Sequence, residues 1–183
     1  PRSTLFPYTT LFRSAAFEEA PLIALSMLCS EFPDHAEWIE WYGAAVLHSE
    51  YFMKRGSRIA APYYHLPNSV WKLSDINAVQ DSAMRTDMLR QYKDGTSLDE
   101  NYTLRTFPIY RDGLFHGSTN IQMSSTWALA EASRLRKDKE GMELVGKQLE
   151  WIFGANPFGQ SLMYGAGYGF APHFAYCLKD LVG

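Results

Sequence analysis

Residues 120–153 read NIQMSSTWALAEASRLRKDKEGMELVGKQLEWIF, and two helices of opposite character meet in this stretch. Asn120 is placed to cap the first. From Ile121 to Ala130 that helix carries no charge, while Ile121, Ser124, Ser125, Ala128, Leu129, Ala132 and Leu135 recur at helical spacing as a packing surface. After the polar link Arg136-Lys137-Asp138, residues Met142, Val145, Leu149, Ile152 and Phe153 form an apolar stripe opposite Lys139, Glu143, Lys147 and Glu150. The first helix reads as enclosed on all sides and the second as half exposed.

The same pair occurs earlier. Pro21 suits a first helical turn, Glu18 and Glu19 precede it at the positive end of the dipole, and residues 22–30 (LIALSMLCS) contain no charge. Phe32-Pro33 ends that helix, and Asp34 with Glu37 offers a variant of the capping box for the next. This next helix is predicted to run to about Lys54, with Trp38, Trp41, Ala45 and Phe52 on its apolar stripe, Glu37, Glu40, Glu50 and Lys54 elsewhere, and Gly56 closing it. Uncharged helices each followed by an amphipathic partner predict an all-α fold, part of an α/α toroid built of inner and outer helical hairpins. A four-helix bundle would use four similar amphipathic helices with short links throughout. Hairpins packed side by side would put the links near Pro33 and Lys137 at one end of the ring. The long segments 56–119 and 154–183 would then meet at the other, where inner helices present unpaired N–H groups.

Both long segments are rich in chemistry. Residues 151–172, WIFGANPFGQSLMYGAGYGFAP, leave the last helix at Gly154, which suits a left-handed cap, and Asn156-Pro157 cannot continue it. Gly159, Gly165, Gly167 and Gly169 then free the backbone to fold tightly while Phe158, Tyr164, Tyr168 and Phe170 project from it. Such a loop suits binding. The middle segment contributes Tyr63-Tyr64-His65, Trp71, Tyr92, Tyr102, a short helix from about Asp81 to Tyr92, and FPIYRDGLFHGSTN over residues 107–120. Aromatic rings stack on the CH faces of sugars, and Arg, Asn, Gln and His side chains bond hydroxyls, so the two segments suit an oligosaccharide cleft. Packing is the competing role for each aromatic, and Asp112-Gly113 is first a turn signal.

Composition narrows the classes. Residues 1–14, PRSTLFPYTTLFRS, match the translation of a sequencing-library adapter and are expected to be an artefact outside the fold. Lys plus Arg number 17 against 20 acids, and without Arg2 and Arg13 the balance is 15 against 20, a net charge of −5. Nucleic acid is therefore not an expected partner. No apolar run reaches membrane-spanning length, and residues 15–183 suffice for one domain. Cys29 and Cys177 lie far apart outside any CxxC, so both read as small buried hydrophobes, with no zinc site or disulfide framework implied.

The segment QLEWIFGANPFGQSLMYGAGYG is similar to the GxNPxxxSxxxGxG region of glycoside hydrolase family 9 and its bacterial relatives, within the six-hairpin glycosidase superfamily. Gly154, Asn156, Pro157, Ser161, Gly165 and Gly167 carry the likeness, which extends over about residues 107–169. The resemblance implies an (α/α)6 toroid of which residues 15–183 form an incomplete part, a carbohydrate substrate, and a periplasmic or secreted location. It also implies inverting hydrolysis of a β-glycosidic bond by a paired acid and base. The family's base sits in an upstream DxGD-type motif and its acid is a glutamate near the C-terminal end. Asp75, Asp81, Asp87, Asp94, Asp99, Glu100, Asp112 and Asp180 stand in neither context, so no catalytic residue is assigned in this chain.

Within that reading Tyr164 and Tyr168 are the leading sugar-contact candidates. His116 follows because it sits beside the start of an enclosed helix, where a neutral imidazole is favoured. His173, in Ala171-Pro172-His173-Phe174, keeps one histidine of the family's HxR element, and Arg111 completes the set. Gly154, Asn156, Pro157, Ser161, Gly165 and Gly167 are expected to structure the loop. Some family members bind calcium, but no carboxylate cluster suggests a site, and no cofactor or metal is expected. Two alternatives stand: another α/α-toroid carbohydrate enzyme, such as a polysaccharide lyase or uronide hydrolase, and a non-catalytic glycan-binding helical protein.

Overall fold

The computed structural model describes residues 20–106, 117–163, 165–167 and 169–170. The chain is mostly helical. Helix α1 (Ala20–Glu31) turns at Phe32-Pro33 into α2 (Trp38–Val46), which passes without a break through a π-helical segment (Leu47–Lys54) into α3 (Arg55–Ile59). Strand β1 (Ser69–Lys72), helices α4 (Leu73–Asn77) and α5 (Ser82–Lys93), and strands β2 (Thr96–Ser97) and β3 (Tyr102–Arg105) follow. Helices α6 (Gly117–Arg136) and α7 (Lys139–Ile152) then form a hairpin. None of the described helices is long and apolar enough to cross a membrane.

The main core lies where α1, α2, the π segment, α6 and α7 meet. It contains Leu22, Ile23, Ala45, Met53, Leu66, Ala128, Leu129, Ala132 and Leu144. A leucine sealed as fully as Leu22, Leu66 or Leu129 contributes about 2 kcal/mol from lost apolar exposure. Several helix boundaries follow the sequence signals. Pro21 sits in the first turn of α1, Asp81 Oδ1 accepts from Met84 N at 2.8 Å to cap α5, and Lys137 turns the α6–α7 link with a left-handed φ of 53°.

The helical content agrees broadly with the all-α expectation, to which the chain adds a small three-stranded antiparallel sheet in the order β1-β3-β2. Val70 pairs with Leu104 and Trp71 with Thr103, so alternate residues serve two faces. On one side Phe52 of the π segment packs with Leu98 and Leu104; on the other Trp71 packs with Ile76 and Met88 of α4 and α5. Three of the aromatics expected in a cleft wall therefore work in packing: Trp71 is buried, Tyr92 lines its cluster, and Tyr102 rests on Phe52. Gly56 does not close the second helix. It is buried within α3, where an added Cβ would lie 2.8 Å from Pro67 Cγ, so its small size admits the strand-leading segment.

The helix faces also differ from their periodic reading. Helix α1 buries Leu22, Ile23, Leu25, Ser26 and Cys29 against its neighbours, while Ala24, Met27 and Ser30 face outward, with Met27 51% exposed. Lack of charge permits burial on every side without enforcing it. In α7 the core face is Gly141, Leu144, Gln148, Trp151 and Ile152, and the stripe members Met142, Leu149 and Phe153 are exposed. Gly141 draws that face in, because a Cβ there would fall 2.1 Å from Ser133 Oγ of α6. Asn120 lies inside α6, which starts at Gly117, and α2 starts after Glu37 without a side-chain cap.

Lys54, read as an outward charge, is 3% exposed. Each π turn takes roughly one residue more than an α turn, so the eight-residue π segment rotates Glu50 and Lys54 away from the positions that α periodicity assigns. Lys54 Nζ then reaches Glu50 at 3.0 Å, Asp138 at 2.7 Å and Glu140 at 3.0 Å. Arg136 bonds Glu50 at 2.5 Å and lies 3.7 Å from Asp138, and Arg58 pairs with Glu140. Three cations thus balance three carboxylates around the α6–α7 link. Burial opposes the charge on Lys54, but its three carboxylate hydrogen bonds outweigh it and raise its pKa above the ordinary lysine value. For Glu50 and Asp138 burial likewise pushes upward, and the bonds from Arg136 and Lys54, with the Gly141 N–H at Asp138, bring both below the ordinary carboxylate values.

This network overturns one deduction from hairpin direction. The α6–α7 link sits beside Glu50 and Lys54, about four helical turns along from the Pro33 link, so the two short links do not share an end. Beyond Lys54 the chain follows α7 from its beginning toward its end: Arg58 meets Glu140, Lys147 Nζ lies 5.1 Å over the Tyr64 ring, and His65 packs against Trp151.

Candidate functional site at the glycine loop

Helix α7 releases the loop through an ordered series of backbone bonds. Gly154 N donates to Trp151 O at 3.3 Å, Ala155 N to Glu150 O at 2.9 Å, and Leu162 N returns to Ile152 O at 2.8 Å. Four turns of this path need positive φ: 116° at Gly154, 60° at Gly159, 74° at Gly165 and 83° at Gly167. A side chain would be strained at each. At Gly167 it would also crowd Ser161, whose Cβ stands 3.3 Å from the position of an added Cβ.

Asn156 is the hub. It is 4% exposed, and its Nδ2 donates to Trp151 O and Gln160 O, both at 2.7 Å. Its Oδ1 accepts from Phe158 N at 3.0 Å and Gln160 N at 3.4 Å. All its polar capacity goes to the loop backbone, leaving none for a ligand. Ser161 is equally enclosed: its N donates to Gly169 O at 2.5 Å, its Oγ accepts from Met163 N at 3.1 Å, and it forms a parallel bridge with Phe170. Pro157 is exposed between Asn156 and Phe158.

The loop sits at the end of the α6–α7 hairpin where α6 begins. Gln122 Nε2 of α6 donates to Gln148 Oε1 of α7 at 3.3 Å. The same Gln148 oxygen accepts from Leu66 N at 3.0 Å, while its Nε2 donates to Tyr64 O at 2.7 Å and Leu144 O at 3.2 Å. A glutamine with no exposed surface thereby pins residues 64–66 against two helices. Tyr64 is held at a left-handed φ of 53°, a conformation that a tyrosine adopts only when its surroundings fix it. Next to it, the His65 ring meets Trp151 edge-on, with centroids 4.8 Å apart. Burial lowers the His65 pKa below the usual histidine value, against the opposing bonds to the Leu66 carbonyl and the Gln122 amide. Its imidazole is neutral at pH 7.

The first turn of the glycine loop, the start of α6 and the Tyr63-Tyr64-His65 segment therefore share one end of the fold, joined through Trp151 and Gln148. Around it Tyr63, Phe153, Phe158 and Phe170 are exposed. Tyr164, Tyr168, His116, His173 and Arg111, the five sugar-contact candidates, lie outside the described residues. Gln122 and Gln148 were not singled out from sequence. Their signal was an amide placed between the apolar positions of each helix, which resembles an ordinary exposed glutamine until the partner helix is known.

The described part of this end is a rigid polar frame beneath exposed rings. Among the described residues no three His, Cys, Asp or Glu side chains gather in a way that could hold a metal ion. No protein-family model, curated protein or solved structure matches the chain.

Proposed function

We propose that this chain is part of an (α/α)6-toroid glycoside hydrolase resembling family 9, acting on a β-linked oligo- or polysaccharide. The cleavage is inverting, and its acid and base lie outside these residues. The observation that carries this reading is the use made of the GxNPxxxSxxxGxG positions. Gly154, Gly165 and Gly167 adopt positive φ, and Asn156 and Ser161 bond to backbone inside the loop. A pattern that builds a stiff loop supports likeness in shape, where a chance match would leave these side chains without common purpose. The exposed rings of Tyr63, Phe158 and Phe170 at this end suit the apolar faces of pyranose units.

In this mechanism the chain supplies binding surface. Tyr164 and Tyr168 stack on sugar rings, with His116, His173 and Arg111 bonding hydroxyls. Isothermal titration with β-1,4-linked gluco-oligosaccharides tests it. Saturable binding that weakens about tenfold or more in Tyr164→Ala/Tyr168→Ala is expected, together with no hydrolysis by the 183-residue chain. Equal affinity in parent and variant refutes the tyrosine assignment, and reducing ends released above a blank refute the placement of the acids.

A further inference from the structure

We propose that the outward face of α7 is a self-association surface on which a second copy of this chain docks antiparallel about a two-fold axis near Val145 and Gly146. The inference is independent of the glycosidase reading. Met142, Leu149 and Phe153 are 48%, 46% and 54% exposed, and Gly146 lies among them on the same side of the helix, with nothing within 4 Å of an added Cβ. At 3.6 residues per turn these four positions fall within one narrow stripe, so another helix can approach closely at the glycine.

The charges beside the stripe select the occupant. Lys139, Glu143, Lys147 and Glu150 are all exposed, and the helical repeat places all four along one flank, the other flank leading back to the core through Val145 and Ile152. When two identical helices meet antiparallel, the same flank of each faces the other. A two-fold centred near residues 145–146 brings Met142 opposite Leu149 and Lys139 opposite Glu150. The Lys139–Glu150 pair forms twice by symmetry. A parallel pair would instead set each charged flank against the partner's other flank, which leads to the core through Val145 and Ile152 and offers no matching charge. None of Lys139, Glu143 and Glu150 has an ion pair within the chain among the described residues. Lys147 is directed within the chain, its Nζ lying 5.1 Å over the Tyr64 ring.

Sedimentation equilibrium of the 183-residue chain over a wide concentration range reads the association. A reversible monomer–dimer equilibrium is expected, weakened about tenfold or more by Leu149→Lys. Lys139→Glu and Glu150→Lys are each expected to weaken it several-fold, and the double exchange to restore it. That rescue separates a registered helix pair from an unspecific apolar patch, and both exchanged residues are exposed, so folding is not at issue. Three results each overturn the proposal: a monomer at every concentration, open-ended aggregation, and a dimer indifferent to Leu149→Lys. A double exchange no better than its singles overturns the alignment.

Discussion

Replacing Lys54 by Met removes the charge and keeps most of the stem, so the effect reads the buried ion network directly. Lys54 and Asp138 side chains are 4% and 14% exposed, a setting in which loss of one partner strands the other and costs about 3–5 kcal/mol. Two features reduce this. Arg136 still faces Glu50 at 2.5 Å and Asp138 at 3.7 Å, and Glu140, at 48% exposure, is solvated and adds at most a few tenths of a kcal/mol. We therefore expect a loss of about 2–3 kcal/mol, which at a urea m-value of about 2 kcal/mol/M moves the unfolding midpoint down by about 1–1.5 M. Adding Asp138→Asn should cost less than the sum of the two single changes, because the second removes the carboxylate that the first left unpaired. Urea titration of the four proteins at pH 7 measures both quantities. A Lys54→Met midpoint within about 0.2 M of the parent would show that Lys54 is hydrated and that the π segment does not turn it inward.

Two further outcomes test the loop frame and the buried histidine. Asn156→Ala removes four hydrogen bonds at a buried position and should cost about 2–4 kcal/mol, with faster amide exchange at Phe158 and Gln160 ahead of the rest of the chain; unchanged protection there would remove Asn156 as the hub. His65 has its pKa lowered by burial, so the unfolded chain takes up its proton first and stability must fall as pH drops below the ordinary value of 6.5. Asp138 and Glu50 have lowered pKa values, so their contribution is lost only below about 3.8 and 4.5. His65→Gln should flatten the melting-temperature profile below pH 6.5 while leaving the steeper acid limb in place, and an unchanged profile would show that burial does not disfavour the charged ring.

Signals that act within a turn or two were legible in the sequence. Pro21, Phe32-Pro33, Asp81 and Gly154 mark helix ends through local sterics and capping, and the structure places ends at or beside each. Helix type was legible only in part at α6: Ala128, Leu129 and Ala132 face the core, but Trp127, within the same charge-free stretch, is 56% exposed, so this helix is not enclosed on every side. What escaped were decisions made by a distant partner. Met142 and Leu149 are as apolar as Leu144, and only Ser133 pressing on Gly141 tells which side of α7 turns inward. Lys54 reads as solvated until Asp138, 84 residues away, meets it. The short strands around Trp71 and Leu104 have too few residues for alternation to stand out from a loop. At the candidate site, the glycines and Asn156 carry visible turn chemistry, whereas the role of Gln148 depends on three other segments.

The lengthened turns between Leu47 and Lys54 make the number of residues in this helix a structural variable. Removing one residue there would let the remainder wind as a regular helix. It would swing Lys54 and everything beyond it round the axis, separating the cation from Asp138 and lifting Gly56 off Pro67. A variant one residue shorter at this point would have to seat its buried cation elsewhere, so length there shapes the fold as much as amino-acid identity does.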